Sequence, residues 1–173
     1  MNQQGSAGDF TFVLHGASGD LAKRKIIPAL AHLAERGYFS ERARVVFSQR
    51  EKQTPEEALA SVDAFLKNAG DEGARKNLGK LKPHLKTLPI TLGAPDAKAT
   101  MDECLKDLPE PHVHYAALPS SRFSDLLACL DSIRDPNRLR LVLEKPLGFN
   151  AAESAAIEEA VAAQLDESQV YRI

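Results

Sequence analysis

The chain has 173 residues, enough for one domain that buries about 70% of the surface its unfolded form would expose. Its 43% hydrophobic and 27% charged residues and its formal charge of -2 are those of a globular protein, and they give no global reason to expect nucleic acid. No apolar run approaches membrane-spanning length, and MNQQGSAGD lacks the regions of a secretory leader; Cys104 and Cys129, in no C-x-x-C spacing, read as reduced core residues, so the expected setting is the cytoplasm.

Residues 1–9 read as a disordered polar tail. Residues 10–14 (FTFVL) then have almost no polar face, the pattern of a strand covered on both sides. The run stops at Gly16 and Gly19, and an amphipathic segment follows at once. Glycines here let backbone N–H groups approach a bulky anion, and a helix starting near Gly19 aims its own unpaired N–H groups at the same point. Of the usual dinucleotide fingerprint G-x-G-x-x-G, Leu14, Gly16 and Gly19 match only the second and third glycines; in the alternative frame residues 16–22 read G-x-x-G-x-x-A, with Ala22 small enough for close helix–strand packing. The competing reading is an ordinary βα turn that uses glycine for geometry alone. No Gly-Lys-Ser/Thr follows, which disfavours a nucleoside-triphosphate loop.

The first helix carries Ile26, Ile27, Leu30, Leu33 and Ala34 and ends at Gly37, and Pro28 must bend it or shorten its first turn. Residues 44–47 read as a second strand. Thr54-Pro55-Glu56-Glu57 opens a helix through Leu59, Val62, Phe65 and Leu66 to Gly70. A charged helix is expected over 71–85, interrupted by Pro83, then a short edge strand over 88–92 and a helix over 96–108. Residues 113–118 read as a strand, Pro119-Ser120-Ser121 as the cap of a helix reaching Ile133, and 139–143 as another strand. Asn150 with Glu153 opens a helix through Ile157, Val161 and Leu165, and a last strand starts at Gln169. The alternation predicts an α/β fold with a doubly wound, mostly parallel sheet and helices on both faces, whose ligands bind at the carboxyl ends of the strands.

Each strand end offers candidates. After the second strand stands Arg50, with no carboxylate before it; it either forks onto a ribose 2′-phosphate or is a solvated surface arginine. The run Lys23-Arg24-Lys25 follows the glycine turn, where the helix dipole disfavours cations, and either meets an anion or is a charged solvated face. Tyr115 and Leu118 either line a cofactor slot or belong to the core. Lys145, before Pro146, either meets an anionic or hydroxyl-rich substrate or lies in an exposed turn. His112 and His114 share a strand face without completing a metal set, and His15, His32 and His84 read as isolated structural residues.

Taken together, Gly16-Ala-Ser-Gly-Asp-Leu-Ala-Lys-Arg-Lys25, Arg50, Tyr115-Ala-Ala-Leu-Pro119, Glu144-Lys-Pro-Leu-Gly148 and Gln169-Val-Tyr-Arg-Ile173 resemble the NADP-binding domain of the glucose-6-phosphate dehydrogenases. The resemblance implies a Rossmann-type domain over 10–173 and hydride transfer from C1 of glucose 6-phosphate to NADP, the entry step of the pentose phosphate pathway. By position, Gly16, Ala17, Ser18, Gly19, Asp20 and Leu21 would meet the pyrophosphate and Arg50 the 2′-phosphate. Tyr115 and Leu118 would flank the nicotinamide half. Lys145 would touch substrate and cofactor, and Lys25 would lie near the substrate. The family's acidic or tyrosine-containing segment after the third strand is Leu92-Gly93-Ala94 here. In the family, Asp-His-Tyr-Leu-Gly-Lys follows Tyr-Arg-Ile, and the base histidine and the sheet that makes the homo-oligomer lie further on. The 173 residues are therefore expected to bind cofactor with negligible turnover. The other readings are a free-standing, non-catalytic dinucleotide-binding module and another NADP-dependent oxidoreductase with a different sugar substrate.

Overall fold

A computed structural model describes residues 7–130, 134–148 and 150–173. One six-stranded, all-parallel sheet runs in the order β3-β2-β1-β4-β5-β6, from β1 (Thr11–His15), β2 (Arg44–Gln49), β3 (Leu85–Pro89), β4 (His112–Ala116), β5 (Leu139–Leu143) and β6 (Val170–Arg172). The order reverses between β1 and β4, and that is the switch point.

Period-two alternation sends the strand residues to two cores. Leu14, Val45, Phe47, Leu85 and Tyr115 face Ile27 and Leu30 of α1 (Ile27–Glu35), Val62 and Leu66 of α2 (Pro55–Asn68), and Leu81. Val13, Val46, Leu88, Leu141 and Leu143 face Met101 of α4 (Ala97–Leu105), Leu126 of α5 (Phe123–Cys129) and Val161 of α6 (Ala151–Gln164). Helices thus cover both faces, which is why the central strands read as nearly continuous apolar runs.

The caps expected from the sequence form. Thr54 Oγ1 accepts from the Glu57 N–H at 3.2 Å while Glu57 Oε2 accepts from the Thr54 N–H at 2.7 Å, and Asn150 Oδ1 accepts from the Glu153 N–H at 2.9 Å. Gly37, with φ of +76°, ends α1. Pro28 neither breaks nor visibly shortens the helix. A π turn over Ala22–Ile26 precedes α1, and Pro28 stands in the first turn of α1, where proline is tolerated.

Two expected elements are corrected. The helix over 71–85 is instead a single turn, α3 (Glu72–Arg75), followed by a 3₁₀ segment, Leu78–His84, in which Leu78 and Leu81 share a face at the three-residue period. The edge strand is Leu85–Pro89 rather than 88–92, although the Ile90 N–H still donates to the Gln49 carbonyl at 2.7 Å. Pro119 to Ser121 supply no side-chain cap; a 3₁₀ turn, Ser120–Arg122, leads into α5. Of the expected tail, residues 1–6 lie outside the described residues, whereas Asp9 accepts from Ser40 Oγ at 2.8 Å and pairs with Arg42 at 3.1 Å. Ile133 also lies outside them.

Candidate functional site

The glycine turn closes the carboxyl end of β1 against its two neighbours. The N–H groups of Gly16 and Ala17 donate to the Ser48 carbonyl at 3.0 and 3.3 Å, and the Gly19 N–H donates to the Gly16 carbonyl at 2.9 Å. Gly16 has φ of +79°, and a Cβ there would run into the Ala117 carbonyl, so this glycine is required by internal packing. The Gly19 carbonyl accepts the first helical bond, from Lys23, at 3.1 Å. The N–H groups of Ser18, Asp20, Leu21 and Ala22 have no hydrogen-bond partner among the described residues. The Asp20 carboxylate does not fold back to cap them but pairs with Arg24 at 3.1 Å, which holds its pKa below the ordinary value. An uncapped helix start is left at the switch point, the arrangement that receives an anion.

Beside it lies a cleft of about 540 Å³, the size of a small-molecule site. Gly16, Ser18 and Gly19 form one wall, Ile90, Leu92 and Leu118 supply apolar surface, and Arg50 and Arg122 supply charge. Arg50 is exposed and makes no hydrogen bond or ion pair among the described residues. It also lines a side cavity of about 230 Å³ with Pro89, Thr91 and Asp96. Past Ser18 and Gln49 a polar cavity of about 300 Å³ continues among Ala17, Lys23, Glu51 and Ser61.

The other candidates divide. Lys23 donates to Ser61 Oγ at 3.1 Å, and Arg24 lies over the Phe65 ring, 5.3 Å from its centroid, so both serve the contact with α2. Lys25 is exposed and unpaired among the described residues. Lys145 is exposed at the end of β5, its N–H donating to the Ile173 carbonyl at 2.9 Å, and the bond to Pro146 is cis. Neither lysine lines the cleft, nor do Asp20 and Leu21, which stand at its helical edge.

Tyr115 is placed away from the cleft. Its position in β4 turns it onto the α1 face, where it is 6% exposed among Leu14 and Phe12, and its hydroxyl donates to Glu144 Oε1 at 2.6 Å. Burial and this carboxylate raise its pKa, keeping the phenol protonated. Tyr115 thus packs in the α1-face core, and Leu118, three residues on, lines the cleft.

Sequence reasoning overlooked two features. Arg122 reaches the cleft because Asp125, at 3.0 Å, and the Leu92 carbonyl hold its guanidinium there. Arg122 sits in the turn that opens α5 rather than directly after a strand, so its position gives no pattern to find. His15 is not isolated: it is hydrogen-bonded to both Ser48 and His114, a pairing legible only once β1 and β4 are set in register.

A cleft of this kind, at the switch point of a doubly wound sheet with free helix N–H groups on one side, belongs to the nucleotide-binding α/β domains. Residues 13–173 match the family model described as glucose-6-phosphate dehydrogenase, NAD binding domain, and the chain belongs to that family. It is 30% identical over 169 residues to the glucose-6-phosphate 1-dehydrogenase of Kluyveromyces lactis, covering 92% of this chain and 34% of that protein. It is 32% identical over 168 residues to the chloroplastic glucose-6-phosphate 1-dehydrogenase 3 of Arabidopsis thaliana, covering 91% of this chain and 28% of that one. A solved glucose-6-phosphate dehydrogenase in complex with its substrate glucose-6-phosphate superposes with a TM-score of 0.74 at 26% identity, covering 96% of this chain and 37% of that one. The enzyme from Mycobacterium avium gives a TM-score of 0.77 at 20% identity, a likeness of fold. The chain spans about a third of the length of these relatives.

Proposed function

We propose that this chain binds NADP as the cofactor portion of a glucose-6-phosphate 1-dehydrogenase, which oxidises glucose 6-phosphate at C1 to 6-phosphogluconolactone. The observation that carries the choice of NADP is Arg50, a guanidinium unpaired among the described residues, on the cleft at the end of β2, where the ribose of a dinucleotide falls in this fold. A guanidinium there forks onto a 2′-phosphate, whereas an NAD site places a carboxylate to accept from the ribose hydroxyls. The N–H groups of Ser18, Asp20, Leu21 and Ala22 receive the pyrophosphate, and Gly16, Ala17 and Gly19 shape the turn that brings it close. Ile90, Leu92 and Leu118 give apolar surface to the rings. When bound, the nicotinamide supplies a hydride acceptor.

Lys25 and Lys145, both exposed cations near strand ends, face the sugar phosphate from outside the cleft in this reading. The C1 hydroxyl must lose a proton as hydride leaves. His15 and His114 are buried within the sheet and His112 opens β4 at the far end, so these histidines are not placed to take it. Glu144 already accepts from Tyr115. The 173 residues alone therefore bind cofactor and turn over negligibly; the homo-oligomer and the base belong to segments outside them. The free thiols of Cys104 and Cys129 suit a cytoplasmic setting.

Calorimetric titration of the chain with NADP and with NAD tests the reading. NADP binds more tightly, and Arg50→Ala costs at least ~tenfold in NADP affinity while leaving NAD unchanged. Equal affinity for the two dinucleotides removes the argument from Arg50. Glucose 6-phosphate-dependent NADPH formation by this chain at an ordinary enzymatic rate overturns the inactivity.

A further inference from the structure

Behind the glycine turn, three buried side chains form a hydrogen-bonded row that the reading above does not use. Ser48 borders the cleft, yet it is only 2% exposed. Its Oγ lies 3.1 Å from Nδ1 of His15, and Nε2 of His15 lies 3.0 Å from Nδ1 of His114. The two imidazoles are nearly parallel, at an interplanar angle of 7°. His114 in turn lines a separate cavity of about 260 Å³, toward the amino ends of the strands, with His112, Lys106, Glu110 and Arg138. The row therefore runs across β2, β1 and β4 from one cavity to another.

Both rings are wholly enclosed, and loss of hydration disfavours a charge on either; His15 is pushed down to about 3 and His114 well below its ordinary value. A neutral imidazole has one donor and one acceptor nitrogen. That leaves two self-consistent polarities. In the first, the Ser48 hydroxyl donates to His15 Nδ1 and His15 Nε2–H donates to His114 Nδ1, so both histidines carry the proton on Nε2. In the second, His114 Nδ1–H donates to His15 Nε2 and His15 Nδ1–H donates to Ser48 Oγ, so both carry it on Nδ1. Any mixed pair sets donor against donor or acceptor against acceptor and loses a buried hydrogen bond. Only the second polarity leaves the Ser48 O–H proton for a group in the cleft.

We infer that Ser48 is a further cofactor-binding residue, its hydroxyl donating to a phosphate oxygen of the bound dinucleotide, and that His15 and His114 are positioning residues that fix the direction of that hydroxyl. The inference rests on the dinucleotide reading above. An oxyanion accepts hydrogen bonds and donates none, so its arrival selects the second polarity. The selection extends through His15 to His114, so the protonation pattern beside the distant cavity reports on occupancy of the cleft.

Nitrogen NMR of the ¹⁵N-histidine-labelled chain, with saturating NADP and with calorimetry in parallel, tests this. In the bound state Nδ1 is the protonated nitrogen of both His15 and His114. Ser48→Ala lowers NADP affinity roughly tenfold, and Ser48→Thr, which keeps the hydroxyl, recovers most of the loss. Binding with the proton on Nε2 of either ring overturns the inference, as does undiminished affinity in Ser48→Ala, and in both cases the dinucleotide reading stands. If neither dinucleotide binds the wild-type chain, that reading falls and this one with it.

Discussion

Arg172 ends β6 and Arg50 follows β2, two arginines at the carboxyl edge of one sheet, with opposite surroundings. Arg172 is clasped by carboxylates: Glu158 accepts from its Nε and Nη2 at 2.8 and 2.6 Å, and Glu167 from its Nη1 at 2.7 Å. Arg50 has no such partner among the described residues. Two of the carboxylates nearby are committed elsewhere, Glu57 to the Thr54 cap at 2.7 Å and Glu56 to Lys82 at 3.2 Å, and neither Glu51 nor Asp96 makes an ion pair with Arg50. Arg172 is structural and its neighbours bring it acids; Arg50, at the cleft, is left free among the described residues, unlike Arg122, which lines the same cleft but is held by Asp125 at 3.0 Å. The same division separates the buried row of Ser48, His15 and His114 from the N–H groups of Ser18, Asp20 and Leu21, which are free among the described residues.

The largest expected effect falls on the committed side. The folded-state pKa of His15 lies near 3, below the 6.5 it has when unfolded, and that of His114 is lowered as well. Between those values the unfolded chain binds protons that the folded chain refuses. Stability is therefore full above about pH 6.5 and is lost as pH falls, by up to ~1.4 kcal/mol per unit for each histidine. The carboxylates held by arginine, Asp63 and Glu158 among them, have lowered values and add their loss only as pH falls through about 4 and below. Urea unfolding between pH 6.5 and 5 isolates the histidines. A flat free energy across that interval would show that the row is not held neutral and would erase the contrast with the open rim.

Next comes the glycine turn, which stands on the border between the two kinds of group. Gly16→Ala must place a Cβ against the Ala117 carbonyl at φ of +79°, and a loss of about 3 kcal/mol is expected. Gly37→Ala faces a similar φ of +76° with nothing within 4 Å of the added Cβ, and about 1 kcal/mol is expected. Melting temperatures of the two variants compare them directly. Equal losses would mean that strain in φ alone decides, and that the tight closure of β1 on β4 adds nothing.

Much of this was legible in the residues. The alternation of strand and helix, the capping box at Thr54, the cap at Asn150 and the placing of Arg50 after β2 all follow from local patterns that tertiary contacts leave unchanged. The misplaced edge strand has a physical cause: Ile90 and Leu92 are apolar because they pack against a core and floor the cleft, whereas the ladder uses Leu85–Pro89. Nearness to the site along β4 does not tell which way Tyr115 faces; period-two alternation turns it to the α1 face. The His15–His114 contact and the reach of Arg122 depend on register and on the loop carbonyl of Leu92, which no local pattern encodes.

The smallest effect is the most direct test of the contrast between the two arginines. Arg172→Ala removes hydrogen bonds to Glu158 and Glu167 and leaves those acids facing one another, yet the side chain keeps 22% of its surface in water. Solvent screening and the entropy of holding long side chains trim such pairs, so about 1 kcal/mol of stability is expected to go. Arg50→Ala removes no partner and should stay within ~0.5 kcal/mol of the parent in the same denaturation. In dinucleotide binding the order reverses: Arg50→Ala weakens NADP, and Arg172→Ala, on the far edge of the sheet, leaves it unchanged. Raising salt narrows the gap in stability, since screening weakens the Arg172 ion pairs in the parent and so shrinks the cost of Arg172→Ala, whereas Arg50→Ala has no such pair to lose. If Arg50→Ala destabilised the chain as much as Arg172→Ala does, Arg50 would have a structural partner after all, and its place in the cleft would carry no specificity.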